Sequence, residues 1–568
     1  MTRVLTVFVV GYLGIITPFF RFQPGDDQAR PDPRFGITEA FWQTEEAVEL
    51  GVGWERILFY WREIQPTGPE DWNTLHVLEE WLVEADNQGR TVVGLLKNTA
   101  PWASEDGTEA GLPKGLYLSV DDPDNLWANF VRRIAEYYSV RNVHHWIIWN
   151  EPEIRSGVYG YEFAGSVADY YQLLKVAYKV MKETDPDAVI HLAGLTWWHD
   201  QTFLKRLLSE AAADPEAPEA GYFFDVISLH IYFRTETIQT VMNAVNATQQ
   251  EFGLDKPVWI NETNAPPNRD PLWPVNRRNF QVDLEQQAWF TIQAFALGFA
   301  TGAERISVYK LIDIHLPEGG ESYGLMRPDF SRRPAFDAYA QATRYLKGFT
   351  DVNLETWPNH YQISFDKPGT TTYVLWSRTI TDTIVTLPSI NTRAAVISPD
   401  GRESEIFAVD GAFTISLDGA RCYGECIIGG PPVIVNMVDV LERQFERFDA
   451  KILEGVTNRT KSQNVNDYQI LDTPTPTVIP TAESTKVLHS PTPQVKGTGT
   501  PVLDQTTLAF VTPETPVIVE EEQNFSQTNP SKDGKQLSIY NVSGLWFLAL
   551  AFVLLFCLTL MVKRTRQD

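Results

Sequence analysis

From residue 34 to about 347, short apolar runs alternate with segments whose apolar positions recur at helical spacing. The runs at 34–37, 56–60, 91–96, 145–149, 188–192, 226–231, 258–260 and 305–309 are rich in β-branched and aromatic residues and have no helical period. They read as buried parallel strands, which face apolar neighbours on both sides. Between them, Leu75, Leu78, Leu82 and Ala85 form one helical face that Gly89 stops. Leu126, Phe130, Ile134 and Tyr137 form another, and Tyr170, Leu174, Ala177 and Met181 a third. Eight strand–helix repeats over this length predict a (β/α)8 barrel. A doubly wound sheet is the alternative, but it calls for a glycine-rich phosphate turn after the first strand, and the sequence has none there.

After a closing helix over 334–348 the period changes to two. Runs at 361–365, 371–376, 383–387, 394–397, 413–417 and 432–435 are separated in part by the turn pairs Asp400-Gly401, Asp410-Gly411 and Asp418-Gly419. They predict a small antiparallel β-sandwich. From about 441 to 544 both periods vanish. Thr-Pro repeats such as Thr473-Pro474-Thr475-Pro476 cannot bury a core and predict an extended stalk.

Both ends are apolar. Residues 4–20 carry no charge behind Arg3, as in a secretory signal or an uncleaved signal anchor, and no small-residue cleavage site decides between them. Residues 545–562 are apolar all round and precede Lys563-Arg564-Thr565-Arg566. That length spans the ~30 Å hydrocarbon core, with the basic tail 563–568 left in the cytoplasm. The expected organisation is 1–30 signal or anchor, 31–348 barrel, 349–440 sandwich, 441–544 stalk, then a transmembrane helix. The folded part is thus expected outside the cell, at its surface.

Composition narrows the partners. A net charge of -26 leaves no basic face for phosphates, so nucleic acid is excluded as a partner. Of three cysteines, Cys422 and Cys426 are spaced to close a tight disulfide loop in an exported chain, two free thiols being the alternative. No second Cys or His pair accompanies them, so no zinc site is expected. Cys557 lies in the apolar terminal segment. Asn246, Asn458, Asn524 and Asn541 stand in glycan-acceptor triplets. Asn261-Glu262-Thr263 also fits the pattern but overlaps the chemistry described next.

The run ending Trp149-Asn150-Glu151-Pro152 and the run Pro257-Val258-Trp259-Ile260-Asn261-Glu262 each deliver a glutamate at a strand end. In a parallel barrel all strand C-termini open into one mouth, so Glu151 after the fourth strand and Glu262 after the seventh can converge. Two carboxyls so placed can flank a glycosidic bond.

Over residues 34–347 the sequence resembles the clan A glycoside hydrolases. Their barrels carry the acid/base in Asn-Glu-Pro after strand four and a nucleophilic glutamate after strand seven. Tyr60-Trp61-Arg62-Glu63-Ile64-Gln65-Pro66 is similar to the Trp-x-x-Ile-x-Pro stretch of family 39. The resemblance implies a retaining β-glycosidase that needs no metal or organic cofactor. Glu151 is then the general acid, kept protonated by its carboxylate neighbour and partial desolvation, and Glu262 the ionised nucleophile. Asn150 is placed for the sugar 2-hydroxyl. Arg56 matches the arginine that bonds the nucleophile, and His230 and Tyr232 share the inward face of strand six.

Aromatic residues that can stack on sugar faces are Trp42, Trp61, Trp102, Trp197 and Trp198. Tyr309, followed by Lys310, ends strand eight where many clan members place a tryptophan. The rival class is a catalytically inactive carbohydrate-binding surface protein on the same barrel, which binds sugars and turns nothing over. A stalked structural protein without sugar binding is a third class, and the two glutamates argue against it. Neither the sugar, nor endo against exo action, nor the oligomeric state can be read from the chain.

Overall fold

A computed structural model of the chain describes residues 30–155, 161–276, 279–314 and 322–438. The signal or anchor segment, the stalk, the apolar segment 545–562, the basic tail, Cys557 and the triplets at Asn458, Asn524 and Asn541 lie outside the described residues. Among the described residues no helix is long and apolar enough to cross a membrane.

Eight parallel strands form one sheet: β1 (Phe35–Thr38), β2 (Trp54–Tyr60), β3 (Thr91–Lys97), β4 (His145–Ile148), β5 (Val189–His191), β6 (Ile227–Tyr232), β7 (Val258–Asn264) and β8 (Ala303–Val308). Their order is β5-β4-β3-β2-β1-β8-β7-β6. Parallel bridges His191–Val226 and Leu195–Leu229 join the two outer strands and close the sheet into a barrel. The helices are α1 (Thr44–Glu49), α2 (Trp61–Ile64), α3 (Glu79–Asn87), α4 (Leu126–Ser139), α5 (Val167–Thr184), α6 (Phe203–Ala213), α7 (Thr235–Glu251), α8 (Leu284–Ala300) and α9 (Pro334–Leu346). Polar caps fix where several of them begin. Asn125 caps α4, while Ser166 with Asp169 and Asp283 with Gln286 form capping boxes on α5 and α8.

The strands read as nearly continuous apolar runs because both faces are buried. One face meets the helices, and the other meets an interior cluster of Trp54, Val93, Leu95, Ile147, Val226 and Trp259. Gly36 is required there: a Cβ on it would stand 2.2 Å from the Trp54 ring. The helical face expected to begin at Leu75 starts later. The Asn73 side chain accepts the Leu75 N–H and holds a turn, α3 opens at Glu79, and Leu75 is exposed.

The C-terminal strands are β9 (Asp351–Thr356), β10 (His360–Lys367), β11 (Thr370–Ser377), β12 (Thr383–Pro388), β13 (Arg393–Ile397), β14 (Glu403–Phe407), β15 (Ala412–Leu417) and β16 (Val433–Val438). They form a six-stranded antiparallel sheet, β14-β13-β16-β11-β10-β9, and a two-stranded ribbon, β12-β15. The pattern had missed β9 and β14. They are the two edge strands: β9 carries only Val352 and Leu354 between polar residues, and β14 is mostly polar and exposed, so neither gives a strong apolar run. One face of the larger sheet shares the barrel's apolar core through Tyr361, Ile363, Phe365, Val374 and Trp376; the other meets the ribbon. Helix α8 lies between the barrel and this sheet, so nearly every side chain it carries is buried.

Candidate active site

Glu151 follows β4 directly, with Trp149 and Glu151 both at positive φ, 74° and 41°. Side-chain costs at such angles persist only where surroundings fix the backbone. Here Trp149 Nε1 donates to Glu162 O (2.9 Å), Tyr170 Oη to Ile148 O (3.0 Å), and Glu151 N to Gly194 O (3.2 Å). Asn150 is half-buried beside it and bridges to Gly194 through its backbone.

Glu262 reaches the mouth through a bulge. Leu229 pairs with Ile260, but the next pair is His230 with Glu262, so Asn261 is an extra residue in β7. Were Asn261 paired in regular register instead, Glu262 would share the outward face of Ile260, because strand side chains alternate. With it, Glu262 turns inward beside His230. Asn261 is wholly buried, which closes it to a glycan.

The inward groups converge. Arg56, buried in β2, forms an ion pair with Glu262, and Tyr232 donates its phenol proton to the other Glu262 oxygen. His230 Nδ1 lies 2.6 Å from Glu151 Oε1 and 3.5 Å from Glu262 Oε2. One carboxylate oxygen of each glutamate and a ring nitrogen of His230 all lie within 4.8 Å of one another. Gly194 makes this possible, since a Cβ there would be 1.9 Å from His230 Nε2.

Burial opposes charge on Glu262, but Arg56, His230 and the Tyr232 hydrogen bond outweigh it and hold the carboxyl below its usual range. Burial likewise opposes the His230 cation, yet Glu262 and Glu151 raise the ring above its ordinary value. Burial and the neighbouring carboxylate push the Tyr232 phenol far up, so it serves as a neutral donor. The two glutamates and His230 also present a possible ligand set for a cation. Arg56 already sets a positive charge against Glu262, so the set suits proton transfer better than a metal.

Tyr309 is half-buried beside this group, with the Arg56 guanidinium 5.9 Å from its ring centre, and the Tyr309–Lys310 peptide is cis. Tyr323, which sequence reasoning had not marked, packs edge-on to both Tyr232 and Tyr309. Asn264 Nδ2 secures these loops by donating to Tyr309 O and Tyr323 O, each at 2.6 Å.

The tryptophans divide. Trp42 packs with Phe41 and with Trp81 of α3 in the helical layer, and touches none of the convergent groups. Trp61 is buried, stacked on Phe130. Trp102 lies edge-on to Trp61 and donates to Gln65 O (2.6 Å), remaining half-buried. After β5, Trp197 is half-buried at φ 64° and Trp198 is 52% exposed. A depression of about 560 Å³ lined by Asn246, Asp255, Lys256, Gly302 and Glu304 lies at the opposite end of the barrel, where β7 and β8 begin.

Glu153 is a further residue the sequence reading passed over; its only signal was a second acid two places after Glu151. It is 3% exposed and accepts hydrogen bonds from Thr196 N–H and Oγ1–H, tying the turn after β4 to the turn carrying Trp197. Burial raises its carboxyl to about 7, with backbone and Thr196 hydrogen bonds opposing. A raised folded-state value means stabilisation that is complete below the unfolded glutamate range and fades as pH rises through about 7. Glu153→Gln should therefore flatten the fall in Tm between about pH 5 and 8 that the parent shows. Parallel Tm–pH curves would remove Glu153 as the cause.

No family model matches the chain, and no curated protein matches its sequence. Among solved structures, a family 39 glycoside hydrolase from Bacteroides cellulosilyticus WH2 superposes with a TM-score of 0.57 at 16% identity, over 72% of this chain and 81% of that one. A family 30 endoxylanase from Clostridium papyrosolvens C71 gives 0.49 at 10% identity, over 72% and 97%. A family 39 enzyme from Xanthomonas axonopodis pv. citri gives 0.47 at 13%, over 72% and 96%. The chain thus has the barrel fold of the clan A glycoside hydrolases, and the disulfide Cys422–Cys426 is formed.

Proposed function

We propose that this protein is a retaining β-glycosidase acting on oligo- or polysaccharides. The observation that carries the reading is the approach of Glu151 and Glu262 at the barrel mouth, with oxygens within 4.8 Å and Arg56 paired to Glu262 alone. Carboxyls about 5–5.5 Å apart leave no room for the water that an inverting enzyme activates between them. Glu262, ionised by Arg56 and Tyr232, attacks the anomeric carbon while Glu151 protonates the leaving oxygen. Glu151 then takes a proton from the water that releases the glycosyl-enzyme. Asn150 bonds the sugar 2-hydroxyl, and Tyr309, Trp102 and Trp197 line the sugar's path.

The test is anomer-resolved NMR of early hydrolysis by the segment 30–440. The β-anomer should appear first and mutarotate afterwards. An α-anomer first would refute retention, and sugar binding without turnover across a β-glycan panel would favour the inactive-binder alternative. The reading includes display at the cell surface, supported by the apolar segments 4–20 and 545–562 of the sequence. The full chain should pellet with membranes while 30–440 stays in the supernatant, and equal partition would remove that element.

A further inference from the structure

The sandwich is joined to the barrel at one place that the proposed chemistry does not use. Between β15 and β16, the loop closed by Cys422 and Cys426 sits on the N-termini of α7 and α8. In a (β/α)8 barrel those helix ends lie on the same face as the strand C-termini, the face that holds Glu151 and Glu262.

The contacts are specific. Arg421 Nη2 lies 3.1 Å from Asp283 Oδ1 and 2.7 Å from Glu285 Oε2, and Gln286 Nε2 donates to Arg421 O (2.7 Å). Tyr423 Oη donates to Asp283 Oδ2 (2.7 Å), and the Arg269 guanidinium lies 4.0 Å over the Tyr423 ring. Glu425 Oε1 pairs with Arg234 Nη1 at 2.5 Å, and Thr235 N donates to Ile427 O (3.1 Å).

From Arg234 a continuous set of contacts leads to the nucleophile. The Arg234 guanidinium stands 5.2 Å from the Phe280 ring centre. Phe280 stacks on Phe233 at 4.8 Å, Phe233 adjoins Tyr232 at 6.2 Å, and Tyr232 donates to Glu262. Phe233 and Phe280 both hold positive φ, 67° and 53°, so their backbone needs support from outside the segment. Exposed ion pairs such as Arg234–Glu425 contribute little alone. Covalent closure of a short loop, which keeps Arg421, Tyr423 and Glu425 arrayed together, makes their sum effective.

We propose that the disulfide loop of the sandwich is a positioning element for the β6–β7 rim of the cleft, holding the Phe233/Phe280 pair where sugar units beyond the scissile bond pass. The proposal rests on the glycosidase reading for its substrate, but not for its structural half. Phe233 and Phe280 offer stacking surface to a chain of sugars, whereas a single sugar on a small leaving group sits within reach of Glu151 and Glu262 only.

The experiment compares the parent with the Cys422→Ser/Cys426→Ser double variant and with Glu425→Gln. For β-linked oligosaccharides KM should rise about tenfold in the double variant and two- to fivefold in Glu425→Gln, with kcat within twofold. For aryl β-monoglycosides kcat/KM should stay within twofold. Equal losses on both substrates would mean loosened folding and overturn the proposal, as would an unchanged oligosaccharide KM. Hydrogen exchange at 233–235 and 280–286 is read in parallel and should quicken in the double variant whether or not the protein hydrolyses anything. If the parent is inactive on all glycosides, the glycosidase reading fails; if exchange is also unchanged, the positioning role fails independently.

Discussion

Glu262→Gln should cost at least about 10⁴-fold in kcat, because under the proposed mechanism it removes the carboxylate that attacks the sugar while keeping the side chain's shape. The amide can still accept from Tyr232, but it can neither attack the anomeric carbon nor balance Arg56, which is buried at 2% exposure. Leaving that guanidinium unpaired lowers Tm as well, so activity is compared well below the variant's melting range. A control separates chemistry from damage: the variant should still bind oligosaccharide.

The pH dependence follows from the same contacts. Arg56, His230 and Tyr232 hold Glu262 below the ordinary glutamate range. Its ionised form therefore survives to lower pH than a free glutamate's, and both the rate and its contribution to stability persist until pH falls through that depressed value. The acid limb of kcat/KM should lie under the usual carboxylate range in the parent. An acid limb inside that range would mean the Arg56–Glu262 pair does not operate in solution, and Glu262→Gln retaining a tenth of the parent's turnover would end the assignment.

Arg333→Met is expected to have the largest effect on stability, about 3–5 kcal/mol, since it strips one partner from a buried charge network. Arg333 is fully buried ahead of α9 and bonds Asp270 Oδ2 at 2.9 Å and Asp313 Oδ2 at 2.7 Å. Arg327 completes the set with Asp270 at 2.7 and 3.2 Å. Asp313 in turn accepts from the Tyr323 and Gly324 amides at 3.0 and 2.8 Å. Loss of Arg333 leaves two buried carboxylates short of a counter-charge, and Tm should drop by on the order of 10 °C. Because the network anchors the loop bearing Tyr323, beside Tyr232 and Tyr309, a fall in kcat/KM should accompany it. A Tm within 2 °C of the parent would show that water or rearranged partners replace the pair.

How much of this was legible in the chain varies by kind of interaction. The eight strands, the long helices and the switch to a period of two were readable because each depends on local apolar spacing. Edge strands β9 and β14 escaped because little of them is buried, and burial writes the pattern. Trp42 shows the converse. A 3-10 turn behind a left-handed Glu39 sets its ring against Phe41 and Trp81 at the start of α3, a contact that its place after β1 did not indicate.

By itself the sequence determined the barrel, the two glutamates at strand ends, and the arginine, histidine and tyrosine facing the same way. Period and strand position are properties of consecutive residues. Only the tertiary structure decided that Glu262 faces inward at all, because the extra residue Asn261 reverses the alternation that the preceding strand would impose. It also decided that Gly194 leaves room for the His230 ring, and that Glu153 and the Cys422–Cys426 loop brace the mouth. Those depend on a few ångströms between segments dozens to hundreds of residues apart. No local pattern encodes that distance, because it is set by how the strands register around the closed sheet.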